Sequence, residues 1–304
     1  MIFSFVVPVY NGSEHIANCI YSIVRQNVDF HEYEIIIIDD GSTDDTKDVV
    51  LGLGLPFVHY FSQSNRKQGA ARNHGIRVAR GDYVWLVDAD DLIINGAIQV
   101  VLGAVGRHAP DVIFYELLRE DTRRKNESGE VLNGTERIYS GVEYLAQRML
   151  KLGPTYVYRK RFLQESKVTF AERCYFEDMD YVLSACIESK CVLHIDMNMY
   201  RVISRPGSSA RVYDLARAKD MAKAVERIYH LAKKHDMNSD LCYYVIMAFN
   251  SFWNRYRRLP AKDRRNVQVA VSATGLFTCA IKSNCAKYFI QSFYFMIAYR
   301  IMFN

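Results

Sequence analysis

The first ninety or so residues alternate between short, almost wholly apolar runs and stretches whose apolar positions fall at helical spacing. Phe3 to Val9 is an apolar, β-branched run that stops at Tyr10-Asn11-Gly12, the punctuation of a strand meeting a loop. Ile16, Cys19, Ile20 and Ile23 then recur at helical spacing to about Gln26, with Ser13 placed to cap that helix. Tyr33 to Ile38 is a continuous apolar run, as expected of a parallel strand covered on both faces, and it ends abruptly at Asp39-Asp40-Gly41-Ser42. Ser42 or Thr43 can cap a second helix, with Asp44 and Asp45 in its first turn, where the positive helix end favours acidic groups. Phe57 to Phe61, Gly69 to Ala79 and Tyr83 to Val87 continue as strand, helix and strand. Val112 to Leu118 reads as a further strand, residues 119–137 as a polar loop or hairpin, and the chain from about Asp214 as helical.

Strands alternating with helices make a βαβ array, whose ligands sit beyond the carboxyl ends of the strands. Those ends carry Tyr10-Asn11, Asp39-Asp40 and Asp88-Ala89-Asp90-Asp91. Mg²⁺ or Mn²⁺ takes oxygen ligands, often one or two carboxylates together with substrate phosphates. An acidic strand end therefore suggests a metal-bound diphosphate, although a solvated acidic turn stays open for the tetrapeptide alone. The first strand does not run into GxGxxG, Gly52 and Gly54 do not follow a strand in that pattern, and no GxxxxGK[ST] loop exists, so neither NAD nor P-loop chemistry is supported.

The 304 residues, 50% hydrophobic and 24% charged, exclude a disordered or collagenous chain and allow two domains or one α/β domain with appendages. Residues 1–210 carry 23 Lys/Arg against 28 Asp/Glu, whereas the remainder carries 16 against 6, so the basic character belongs to the C-terminal third. Seven scattered cysteines without CxxC spacing suggest neither a disulfide framework nor a zinc site, and a reducing cytoplasm fits them. The N-terminus lacks a basic region and a cleavage site, and reads as a first strand, not a signal. Eight histidines include no metal-ligand pair, and His194 earns only weak suspicion.

Four motifs in register, VVPVYNG (Val6 to Gly12), IIIIDDGSTDDT (Ile35 to Thr46), QGAARNHGI (Gln68 to Ile76) and GDYVWLVDADD (Gly81 to Asp91), resemble family 2 glycosyltransferases over roughly residues 1–210. The resemblance implies an α/β GT-A fold: a Rossmann-like, mixed but mostly parallel sheet flanked by helices. It divides the chain into a glycosyltransferase domain at 1–210 and a helical, basic and aromatic region at 211–304. It also implies a nucleotide-diphospho sugar donor, a UDP-sugar above all, Mg²⁺ or Mn²⁺ as cofactor, and inversion at the sugar carbon. Carried over position by position, Pro8, Tyr10 and Asp40 surround the base and Arg72 touches base or phosphate. Asp88 holds the ribose, Asp90 of the DxD-like Asp88-Ala89-Asp90 binds the metal, and Asp91 is a less certain neighbour. Asp39, Asn73 and Lys67 have bland readings beside these: a structural partner, a turn or capping residue, and a solvated charge.

Transfer to a hydroxyl needs a base. By resemblance it is Asp178 in Phe176-Glu177-Asp178-Met179-Asp180-Tyr181, with Asp180 as competitor and an acidic first helical turn as the structural alternative. Arg201 and Arg205, the latter in Arg205-Pro206-Gly207-Ser208-Ser209, resemble a loop that helps the diphosphate leave. The acceptor is then a carbohydrate or a lipid-diphosphate-linked saccharide of a bacterial surface polysaccharide such as capsule. Arg255, Arg257, Arg258, Lys262, Arg264 and Arg265, with the aromatic stretch from Leu276 to Phe303, suit peripheral contact with the cytoplasmic membrane or packing on the core or on a second copy in a homo-oligomer. A nucleic-acid partner lacks any RNP-like or zinc-finger pattern and leaves the acidic rim unexplained. A catalytically degenerate sugar-nucleotide binder and a nucleotidyltransferase are the alternatives. The second would need a Gly-rich phosphate loop that PVYNGSEH does not resemble.

Overall fold

The computed structural model describes residues 1–120, 134–151, 153, 155–203, 212, 214–236 and 238–272. Four parallel strands lead the fold: β1 (Phe3–Val9), β2 (Tyr33–Asp39), β3 (Val58–Ser62) and β4 (Tyr83–Leu86). Their helices are α1 (Ile16–Val24), α2 (Thr46–Gly52) and α3 (Lys67–Val78). Every residue of β1, β2 and β4 is buried, because helices cover both faces of these central strands. Pro8 lacks an N–H to give to a ladder, and it lies past Val6, where the pairing of β1 with β4 ends.

The sheet continues with β5 (Leu92–Ile93), β6 (Val112–Glu120), β7 (Glu136–Tyr139), β8 (Val157–Arg159) and β9 (Val192–Ile203). Its order is β3-β2-β1-β4-β8-β6-β9-β5, with β7 on β9. Pairing is parallel through β3-β2-β1-β4 and between β6 and β9, and antiparallel elsewhere. The sheet is mixed, as the resemblance implied, with its continuous parallel run in the N-terminal part.

Two caps differ from expectation. The first helix begins at Ile16 after His15, not after Ser13, and α2 begins at Thr46 after Asp45, not after Ser42 or Thr43. Ser42 and Thr43 instead join the strand-end loops: Asn11 N–H donates to Ser42 Oγ (2.8 Å), and Thr43 N–H donates to Asn11 Oδ1 (2.8 Å).

Four further helices follow the parallel part: α4 (Ala97–His108), α5 (Gly141–Ala146), α6 (Lys160–Ser166) and α7 (Asp178–Glu188). The C-terminal part is helical as expected: α8 (Leu215–Lys234), α9 (Ser239–Tyr256) and α10 (Ala261–Ser272). Ala218, Met221, Val225 and Ile228 of α8 and Tyr244, Ala248 and Phe252 of α9 are buried in the same hydrophobic core as the strands. Among the described residues no helix is long and apolar enough to cross a membrane. Among the described residues Cys19, Cys174, Cys186 and Cys191 are free thiols, and Cys242 is disulfide-bonded.

Candidate active site

Parallel register brings three loops to one rim. Val9 pairs with Asp39 and Val6 with Leu86, so Tyr10, Asp40 and Asp88 follow neighbouring strands at the same edge. A cavity of about 390 Å³ opens there, lined by Pro8, Tyr10, Asp40 and Asp90 from the strand ends. Lys67, Tyr175, Glu177 and Arg217 line it from later elements.

Asp40 is buried, and its Oδ1 accepts from Gln63 Nε2 and from the Arg66 N–H, both at 2.9 Å. Asp39 is the structural partner expected: its Oδ1 accepts from Ser42 N–H (2.7 Å), and the Tyr60 hydroxyl donates to its other oxygen. Asn73 braces a distant segment, donating to the Phe170 carbonyl and accepting from its N–H, each at 3.0 Å.

Arg72 does not line the cavity. It is 2% exposed on α3, and its guanidinium bridges Asp88 (2.8 Å) and Glu177. Burial opposes its charge, but the two carboxylates outweigh burial and raise its pKa. The small residues of QGAARNHGI serve this packing. A Cβ on Gly69 would lie 2.1 Å from the Ala171 carbonyl oxygen, and one on Gly75 would lie 2.2 Å from Val6 Cγ1.

Within Asp88-Ala89-Asp90-Asp91 the three carboxylates part company. Asp88 is tied to Arg72, the Asp91 carboxylate accepts from the Ile203 N–H (2.8 Å), and Asp90 lines the cavity. Burial first, then mutual repulsion, raises Asp88 and pushes Asp91 up to about 8. Among the described residues no three or more His, Cys, Asp or Glu form a ready-made metal cage. The donor set still fits Mg²⁺ or Mn²⁺ held by Asp90 with diphosphate oxygens, and a cation would relieve the crowding that raises Asp88 and Asp91.

Asp178 opens α7 and lines a second cavity of about 470 Å³, while Glu177 before it lines the first. Consecutive residues of one segment thus line the two cavities. Burial, then the Glu177 charge, pushes Asp178 up to about 7, with Arg72 pulling the other way. Asp180, its competitor, is held by Arg227 Nη2 at 2.8 Å. Arg201 lies on β9 opposite Leu92 and lines neither cavity. Arg205 lies outside the described residues, as does the aromatic stretch from Leu276.

Three contributors were not legible as site residues. Glu177 reads as an ordinary acidic first turn. Lys67 reads as a solvated charge, yet it has φ +71° and its Nζ sits 4.1 Å from the centre of the Tyr175 ring. Arg217 of α8 carries no motif at all, yet its Cζ lies 4.3 Å from the same ring centre. Its one sequence signal is local, the helix cap Asp214, which accepts from the Arg217 N–H (2.7 Å).

Comparison with known proteins places the strand-end loops, though not Asp178, within one family model. The family model described as "Glycosyl transferase family 2" matches residues 4–166. The chain is 28% identical to the GalNAc(5)-diNAcBac-PP-undecaprenol beta-1,3-glucosyltransferase of Campylobacter jejuni, over 90% of each chain. It is 26% identical to the poly(ribitol-phosphate) beta-glucosyltransferase of Bacillus spizizenii, over 70% of this chain and 34% of that one, so it spans about a third of that relative's length. Among solved structures, Staphylococcus aureus TarS 1-349 in complex with UDP-GlcNAc superposes with a TM-score of 0.69 at 22% identity, covering 90% of this chain and 80% of that one. That likeness establishes a shared fold.

Proposed function

The chain belongs to glycosyl transferase family 2, and from that premise we propose that it moves a sugar from a UDP-sugar to a hydroxyl of a saccharide acceptor in bacterial surface-polysaccharide synthesis, inverting the anomeric carbon. One observation carries the reading: Tyr10, Asp40 and Asp90 line one cavity together with Glu177, and the next residue, the half-buried Asp178 with its raised pKa, lines a second. The complex of TarS with UDP-GlcNAc and the undecaprenol-linked acceptor in the name of the Campylobacter relative support the two substrate classes.

Tyr10 and Asp40 face the nucleoside, with Pro8 shaping the wall. Arg72 and Asp88 act from behind this wall, positioning the strand ends. A divalent cation held by Asp90 supplies charge neutralisation at the diphosphate when bound. Lys67 and Arg217, both held against Tyr175, add positive charge where the leaving diphosphate gathers negative charge. Asp178 takes the proton of the acceptor hydroxyl as that oxygen bonds to the sugar carbon and the carbon–diphosphate bond breaks. One displacement inverts the centre. Residues 1–210 hold the donor in this reading, and residues 211–304 complete the site and face the acceptor.

The test is nucleotide release from a panel of UDP- and GDP-sugars with Mn²⁺, for the wild type and Asp178→Asn. Turnover in the wild type and its loss in the variant support the reading. Binding of a UDP-sugar without turnover by any acceptor points to the degenerate binder instead.

A further inference from the structure

The second cavity is built unlike the first. Phe176 and Asp178, Met221 of α8 and Met247 of α9 line it together with Arg255, Arg257 and Arg258. Asp178 is the one carboxylate among its lining residues. Arg255 is pinned, its Cζ 4.5 Å from the centre of the Phe176 ring and its Nη1 donating to the Val212 carbonyl (3.3 Å). Phe176 itself holds a left-handed φ of +61°, a strained conformation that its neighbours must maintain. Arg257 and Arg258 are exposed at the mouth.

A neutral sugar hydroxyl gives no reason to gather three guanidiniums around one carboxylate. Aromatic and methionine surfaces suit the apolar face of a sugar ring, and guanidinium forks match the paired oxygens of a phosphate. We propose that this cavity is the acceptor subsite, and that Arg255, Arg257 and Arg258 bind a phosphate group that the acceptor saccharide carries close to the hydroxyl presented to Asp178. The inference rests on the reading of Asp178 as the base. It adds the acceptor's chemical class, a phosphate-bearing saccharide, and the residues that select it.

Three probes are titrated onto the full chain saturated with UDP. They are octyl diphospho-N-acetylglucosamine, octyl N-acetylglucosaminide carrying a glycerol phosphate diester, and the plain octyl N-acetylglucosaminide. At least one phosphate-bearing probe is expected to bind about tenfold tighter than the neutral one, the scale of one charge-assisted contact. Whichever gains that margin tells a diphosphate acceptor from a phosphodiester one. Arg257→Gln with Arg258→Gln is expected to erase the margin, and the paired Lys variant to keep part of it. Equal affinity for all three probes, binding of none, or a margin that survives in the Gln pair overturns the proposal. So does a Gln pair that loses only flotation with phosphatidylglycerol vesicles, which assigns the arginines to a lipid surface. A wild type that binds UDP but shows no margin fails here alone, whereas a wild type that binds no UDP fails the donor reading.

Discussion

Arg72 and Glu177 form a buried ion pair, 2% and 6% exposed, between residues 105 apart in the chain, and it ties α3 to the residue just before Asp178. Glu177→Gln should therefore act twice. Stability should fall by roughly 3 kcal/mol, the low end for breaking a buried pair, because Arg72 keeps Asp88. Removing the Glu177 charge, which helps hold the Asp178 pKa up, should also move the pH dependence of turnover to lower pH. Urea melts and a pH–rate profile of the variant check the two effects.

In the proposed reaction Asp178 accepts a proton only when ionised, so log turnover should rise with pH up to about 7 and level above it. The same shift has the opposite sign for stability. The folded chain holds this proton more tightly than the unfolded chain, so the contribution is complete below the ordinary aspartate range and is lost as pH climbs through about 7. Asp178→Asn should lower turnover by about 10²-fold or more with UDP-sugar affinity little changed, as read by steady-state rates beside calorimetric titration.

Arg217→Ala should weaken UDP-sugar binding about tenfold, equivalent to one charge-assisted contact, and Tyr175→Ala should reproduce much of that loss by releasing Lys67 and Arg217 together. Calorimetric titration with UDP and with uridine separates a diphosphate effect from a base effect. Uridine affinity should stay level.

Gly75→Ala should destabilise by about 1–3 kcal/mol, because its methyl would meet Val6 Cγ1 in a filled core. A thermal or urea melt that matches the wild type would show that α3 can lift from β1 at little cost.

Chelation should stop nucleotide release and added Mn²⁺ should restore it. Asp90→Asn should raise the Mn²⁺ concentration needed for half-maximal rate, measured by metal titration after treatment with a chelator.

The strands that build the first cavity were legible because burial on both faces leaves an unbroken apolar run, as in Tyr33 to Ile38, and such a run ends visibly at its first carboxylates. β8 was not, since three residues, Val157–Arg159, are too short to show a period. Within the site, Asp40 and Asp90 could be placed because they follow the strands that carry them. Glu177, Lys67 and Arg217 could not, because their roles depend on contacts that only folding creates: Arg72 with Glu177, and Tyr175 reached from both α3 and α8. The helix start at Thr46 was displaced for a similar reason, since Ser42 and Thr43 were already engaged with Asn11 across the loop.

Tyr175 met by cations from both α3 and α8 means that the helical tail is not an exchangeable accessory. A chimera that borrows its last third from a relative would inherit a stranger's arginine, or none, opposite that ring. Swaps intended to redirect the enzyme to a new acceptor will disturb the donor side at once unless both cations travel with the ring.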